Sequence, residues 1–140
     1  MGTWDSGPFD NDGAADWCGD LDDADPADRL GMIRQTLAAA ADHAGHLDDR
    51  RGVRAVAAAA VIVSQRPGAE PLTSPYAPDF LLEGGSVVVP EDVAALAVRA
   101  LDRVAGDDSE WRDLWEDTGD PAEALAAVGD LRTALSTVPW

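Results

Sequence analysis

The sequence predicts an all-α fold of about six helices, with one long proline-rich loop between the third and the fourth. Three observations carry that expectation. Apolar residues recur at helical spacing in six segments, several of those segments open on a capping residue or a proline, and alanine is abundant. Four prolines crowd into 66–89 and exclude a continuous helix there. At 140 residues the chain has the size of one domain, and 1–140 reads as a single helical domain.

Taken in order, Asn11 or Asp12 can cap a first helix that carries Ala14, Trp17, Cys18 and Leu21 on one face. Asp25-Pro26 then offers an N-cap followed by proline at the first helical position. Leu30, Ile33, Leu37, Ala40 and Ala41 make the stripe of this second helix, which should stop near Gly45. The third segment, 52–65, is apolar on most sides and should be a central, buried helix. Loop 66–89 follows, pinned by Tyr76, Phe80, Leu81 and Leu82, with a short hairpin expected in 81–89 around Gly84-Gly85. A fourth helix spans 90–105, and Ser109 caps a fifth bearing Trp111, Leu114 and Trp115. The turn Thr118-Gly119-Asp120-Pro121 opens a sixth on Leu125, Val128, Leu131 and Leu135. Ahead of all this lies an arm, 1–12. Trp4 and Phe9 should anchor it to the core across a Gly7-Pro8 turn, and Asp10, Asn11 and Asp12 should form the turn and the cap.

Charge narrows the function classes. The net charge is −17, and nine aspartates stand in the first 28 residues without a single Lys or Arg. Direct binding to nucleic acid normally needs a basic face, so it is not expected, and anionic membranes are disfavoured for the same reason. The longest apolar run, 53–63, is far below the roughly 20 residues that cross a bilayer, and it contains Arg54. Cys18 is the one cysteine, so no intrachain disulfide forms. With no apolar leader-like run in the first 28 residues, a reducing, cytoplasmic setting is expected.

The chain carries few residue patterns with a recognisable chemistry. Asp10-Asn11-Asp12-Gly13 suggests a calcium loop, yet with Gly13 as sixth residue the first and twelfth positions fall on Pro8 and Gly19, which are not ligands. His43 and His46 are three apart with Asp42 beside them, the spacing of a two-histidine, one-carboxylate site, but Gly45 between them reads as a helix end where histidine commonly meets terminal carbonyls. No nucleophile elbow, phosphate loop or di-iron pattern is present. Met1-Gly2-Thr3-Trp4-Asp5-Ser6 fits the myristoylation pattern, though the segment is acidic where an acylated anchor wants a basic patch. No catalytic residue and no cofactor is expected, and the balance reads against an enzyme.

The opening Met-Gly-Thr-Trp, followed by Gly7-Pro8-Phe9-Asp10-Asn11-Asp12, resembles a bacterial family of unknown function whose members begin M-G-[AT]-W-G-x-G-x-F-[DE]-[ND]-D. Ser109-Glu110-Trp111-Arg112-Asp113-Leu114-Trp115 resembles that family's S-E-L-x-x-L-W segment. Asp5 stands where the family commonly has glycine and Trp111 where it has leucine. The resemblance implies a fold and no activity.

The expectation that follows is a non-enzymatic protein-binding module, of an immunity or regulatory kind, acting on a basic protein. Asp20, Asp22 and Asp23 are its candidate contacts, together with an acid-rimmed aromatic pair, Trp111 and Trp115. Two alternatives stand beside it: a nucleic-acid charge mimic, and a metal protein or small enzyme using His43 and His46.

Overall fold

The structure is a computed structural model and describes residues 9, 11–66, 68, 69, 77–119 and 121–137. Among these residues there are seven α-helices and no strand. They are α1 (Asp12–Asp23), α2 (Arg29–Ala41), α3 (Asp49–Ser64), α4 (Asp79–Leu82), α5 (Glu91–Ala105), α6 (Glu110–Asp117) and α7 (Ala122–Thr137). The six long helices match the six expected segments; α4, a single turn, was not anticipated.

Helix α3 is the axis. Ten of its sixteen residues are buried, which puts apolar surface on nearly every side, and α1, α2, α5, α6 and α7 all pack against it. The alanines of its centre leave little side chain between neighbouring backbones. Two glycines mark the closest approaches. A Cβ on Gly13 would stand 2.6 Å from Val53 Cγ2, and one on Gly52 would stand 3.1 Å from Trp111 Cβ. Glycine therefore sets how near α1 and α6 lie to α3.

Caps fix the helix starts. The Asn11 side chain accepts from the Ala14 amide at 2.8 Å and begins α1. Asp25-Pro26 does start the second segment, but as a 3₁₀ turn, Pro26–Asp28, that feeds α2. Helix α2 ends at Ala41, and Gly45 takes a left-handed φ of 79° in the loop beyond. Asp48 caps α3 from the Arg51 amide, so α3 begins three residues before the expected start at Gly52. Ser109 caps α6 as expected, and its buried hydroxyl also donates to the Val104 carbonyl at 2.7 Å.

The hairpin expected in 81–89 is replaced by something else. Pro78 sets up a helical turn, and both carboxylate oxygens of Asp22 take its first amides, from Asp79 at 2.9 Å and Phe80 at 3.0 Å. Gly84, at φ 92°, closes that turn, and Gly85 donates to the Phe80 carbonyl. Val87 then donates to Gln65 Oε1 at 2.9 Å instead of to a partner strand. A distant carboxylate thus favours a turn of helix where local sequence favoured a strand pair. Pro67, Pro71, Pro75 and Tyr76 of this loop lie outside the described residues.

Candidate functional site

The site is built on α1. Its inner face buries Ala14, Trp17, Cys18 and Leu21, which leaves Asp12, Asp16, Asp20 and Asp23 on the exposed side. Their spacing of four, four and three keeps all four on one face, a stripe about 16 Å long at a rise of about 1.5 Å per residue. None of them enters an ion pair among the described residues, whereas Asp42, Asp48, Asp92, Asp102 and Glu116 each hold an arginine. The stripe also runs the wrong way for the helix dipole. Asp12 at the N-terminus is favoured, but Asp20 and Asp23 sit in the last turn, where α1 has no basic residue. Like charges at this spacing repel as well, each pair by about 0.2–0.5 kcal/mol.

Arg29 relieves part of this from outside the helix. Its Nε donates to the Leu21 carbonyl at 3.0 Å and its NH2 to the Asp22 carbonyl at 3.0 Å, so a cation caps the C-terminus of α1. The same guanidinium lies over the Phe80 ring, 3.9 Å from its centroid. Of the three candidate contact acids, the structure thus separates Asp22 from the others. Asp22 holds α4 in place, while Asp20 and Asp23 face solvent.

The histidines lie in the loop between α2 and α3. His43 Nε2 is 3.1 Å from the His46 carbonyl, so the two rings do not converge. Asp42 accepts from Arg99 of α5 at 2.5 Å. His46 sits instead between Asp108, with Nδ1 at 2.7 Å from Oδ1, and Asp113, with Nε2 at 3.7 Å from Oδ2. Among the described residues no group of three His, Cys, Asp or Glu is placed to hold a metal ion. The geometry is that of a clasp between two loops. Leu47 donates to the Asp108 carbonyl and accepts from the Glu110 amide, at 2.9 and 2.8 Å. Arg103 donates to the carbonyls of Gly45 and Asp108, and Asp108 takes a left-handed φ of 62° within the clasp.

Residues 2–127 match a family described as a domain of unknown function, DUF4259. The chain belongs to that family. No curated protein and no solved structure matches it. The DUF4259 match takes in α1 to α6 and the first turns of α7, and so includes both the acid stripe and the clasp.

Within the DUF4259 domain the aromatic candidates divide. Trp111 is buried against Gly52 and belongs to the core, while Trp115 is half-buried, its ring centroid 6.5 Å from that of Trp111. Trp17 is buried too, and its Nε1 donates to Thr36 Oγ1 of α2 at 2.9 Å. Phe9 is 3% exposed and anchors the chain just ahead of α1. Trp4, Gly7, Asp10 and Trp140 lie outside the described residues. Cys18 is buried, and desolvation, with Asp22 nearby, pushes its thiol up to about 12, so it stays protonated at neutral pH.

Sequence reading missed one cluster. Arg50, Arg51 and Arg54 gather at the start of α3 and line a groove against Gln35, Thr36 and Ala39 of α2. The signal was present in Asp49-Arg50-Arg51-Gly52-Val53-Arg54, where Arg50 and Arg54 are four apart on one helix face, in a chain otherwise dominated by acids.

Among the described residues no helix is long and apolar enough to cross a membrane.

Proposed function

We propose that this DUF4259 protein is a protein-binding module, of an immunity or regulatory kind, that receives a basic partner on the exposed face of α1. The observation that carries the reading is the stripe Asp12, Asp16, Asp20 and Asp23, without an ion pair among the described residues and extended into the last turn of a helix whose dipole disfavours it. The arrangement costs stability and contributes nothing to packing, since the opposite face makes every core contact of α1. A cationic partner would relieve both the dipole conflict and the mutual repulsion, and the field of the stripe would steer it in. Asp22 takes no part, because its carboxylate is spent on α4.

The test compares wild-type protein with the triple variant Asp16→Asn, Asp20→Asn, Asp23→Asn as bait in lysate of the source organism, at low and at high salt. A basic protein held by the wild type at low salt, released at high salt and not held by the variant is the expected result. Retention that ignores both salt and the three substitutions would overturn the reading, as would the absence of any specific partner.

A further inference from the structure

A second surface carries the opposite charge. The groove between α2 and the start of α3 has a volume of about 390 Å³ and is lined by Arg50, Arg51, Arg54, Gln35 and Thr36, with Asp48 at its edge. Three arginines against one carboxylate leave two net positive charges in a molecule that carries −17. The way the arginines are partnered is more telling than their number. Arg51 donates to Asp48 at 2.6 Å. Arg50 and Arg54 make no ion pair among the described residues, although the chain holds 27 acids; Arg29 and Arg103, also without one, donate instead to backbone carbonyls, and Arg66 is the fifth arginine with none. Arg54 Nε is buried and has no hydrogen-bond partner among the described residues, a state it shares with Arg66 Nε outside the groove. A buried guanidinium N–H without an acceptor is costly, so such groups are normally satisfied by protein, by water or by a ligand.

We infer that this groove is a binding site for a small oxyanion, the carboxylate or phosphate group of a molecule of metabolite size. Guanidinium groups present forked donors that match both chemistries. Arg54 and Arg50, four residues apart on the same face of α3, both line the groove, Arg54 the less exposed of the two. Gln35 adds an amide from the opposite wall. The amide end of α3 is not the attraction, because Asp48 already occupies it from the Arg51 amide. The groove continues past Ala38 and Ala39 toward Asp42, His43 and Ala44 in a further 490 Å³, where three alanines give the body of a ligand apolar contacts and the Asp42 carboxylate is held by Arg99. This site lies on α2 and α3, and it stands or falls separately from the partner reading of α1.

Inorganic pyrophosphate and citrate serve as probes for the two chemistries, titrated calorimetrically with chloride controls at matched ionic strength. Saturable binding of at least one probe is expected, with amide shifts in the nuclear magnetic resonance spectrum centred on residues 50–54. Binding should weaken by about tenfold or more in Arg50→Gln and in Arg54→Gln, the scale of a lost charge-assisted hydrogen bond. It should persist in Arg132→Gln, whose side chain pairs with Asp102 on a different face. Arg50 is exposed, so its variant tests the site even if the Arg54 variant fails to fold. No saturable binding of either probe would overturn the inference. So would binding that Arg50→Gln and Arg132→Gln weaken equally.

Discussion

The exposed face of α1 and the groove between α2 and α3 are opposites built on the same support. Among the described residues, one gathers aspartates that no arginine neutralises, and the other gathers arginines of which two lack a carboxylate. Elsewhere Arg34, Arg99, Arg112 and Arg132 each find an acid, Arg29 and Arg103 donate to backbone carbonyls, and Arg66 makes no ion pair among the described residues. The lesson is that net charge describes this molecule poorly. A value of −17 predicts a uniform repulsion of anions, whereas the folded chain sorts its few cations into those that brace the fold and those left facing a cavity.

The largest effect should come from the residue that ties the two regions together. Trp17 projects from the buried face of α1 and donates to Thr36, which lines the groove. Trp17→Ala removes a buried aromatic and that bond together, at roughly 3–5 kcal/mol, a fall on the order of 10 °C in Tm. Differential scanning calorimetry checks it. A loss of only a degree or two would mean that α1 is held by Phe9 and Leu21 without Trp17, and that the two surfaces are not coupled through this side chain.

A smaller effect separates acids that look alike in the sequence. Asp22→Ala removes both caps from α4 and should cost about 1–2 kcal/mol, with loss of hydrogen-exchange protection at the Asp79 and Phe80 amides. Asp20→Asn and Asp23→Asn should do the reverse. Each relieves a like-charge contact and a charge at the wrong helix end, and each should stabilise by about 0.2–0.5 kcal/mol. Equal destabilisation by all three would show that the α1 acids are structural and would remove the ground for a docking face.

These contrasts also mark what the sequence could and could not disclose. Six helices were legible because their apolar stripes and caps are local: Asn11 and Ser109 announce α1 and α6 within three residues. The buried axis was legible from the unrelieved Ala and Val of α3. The turn of α4 was not, since its cap comes from Asp22, 57 residues earlier. The same limit hid the difference between Asp22 and its neighbours, and the place of His46 between Asp108 and Asp113. It also hid the groove, which needs α2 as its second wall. Pattern reads what lies along one helix; pairing across helices depends on the packed fold.

The smallest effect concerns two adjacent carboxyls at the start of α3, where the groove begins. Burial pushes the Asp48 carboxyl up, but the hydrogen bonds and charge of Arg51 outweigh that and hold it below the ordinary carboxylate value. Asp49 is shifted upward, by burial first and then by Glu110 and Asp48. The two must therefore act on stability with opposite signs. Asp48 contributes stability that is fully present above the ordinary carboxylate value and is lost as pH falls through its lower folded value. Asp49 imposes a penalty that is fully present above its raised folded value and is gone below the ordinary one. Asp49→Asn should accordingly raise the urea midpoint at neutral pH, with the gain vanishing in acid. Asp48→Asn should lower it at neutral pH, with the loss also vanishing in acid. The Asp48 variant bears directly on the groove, because it frees Arg51 to join Arg50 and Arg54 and should tighten the binding of pyrophosphate or citrate. Midpoints measured across the acid range decide the matter. If both variants move them in the same direction, the pairing of Asp48 with Arg51 does not govern this end of α3, and the separation of braced from free arginines fails where it matters most.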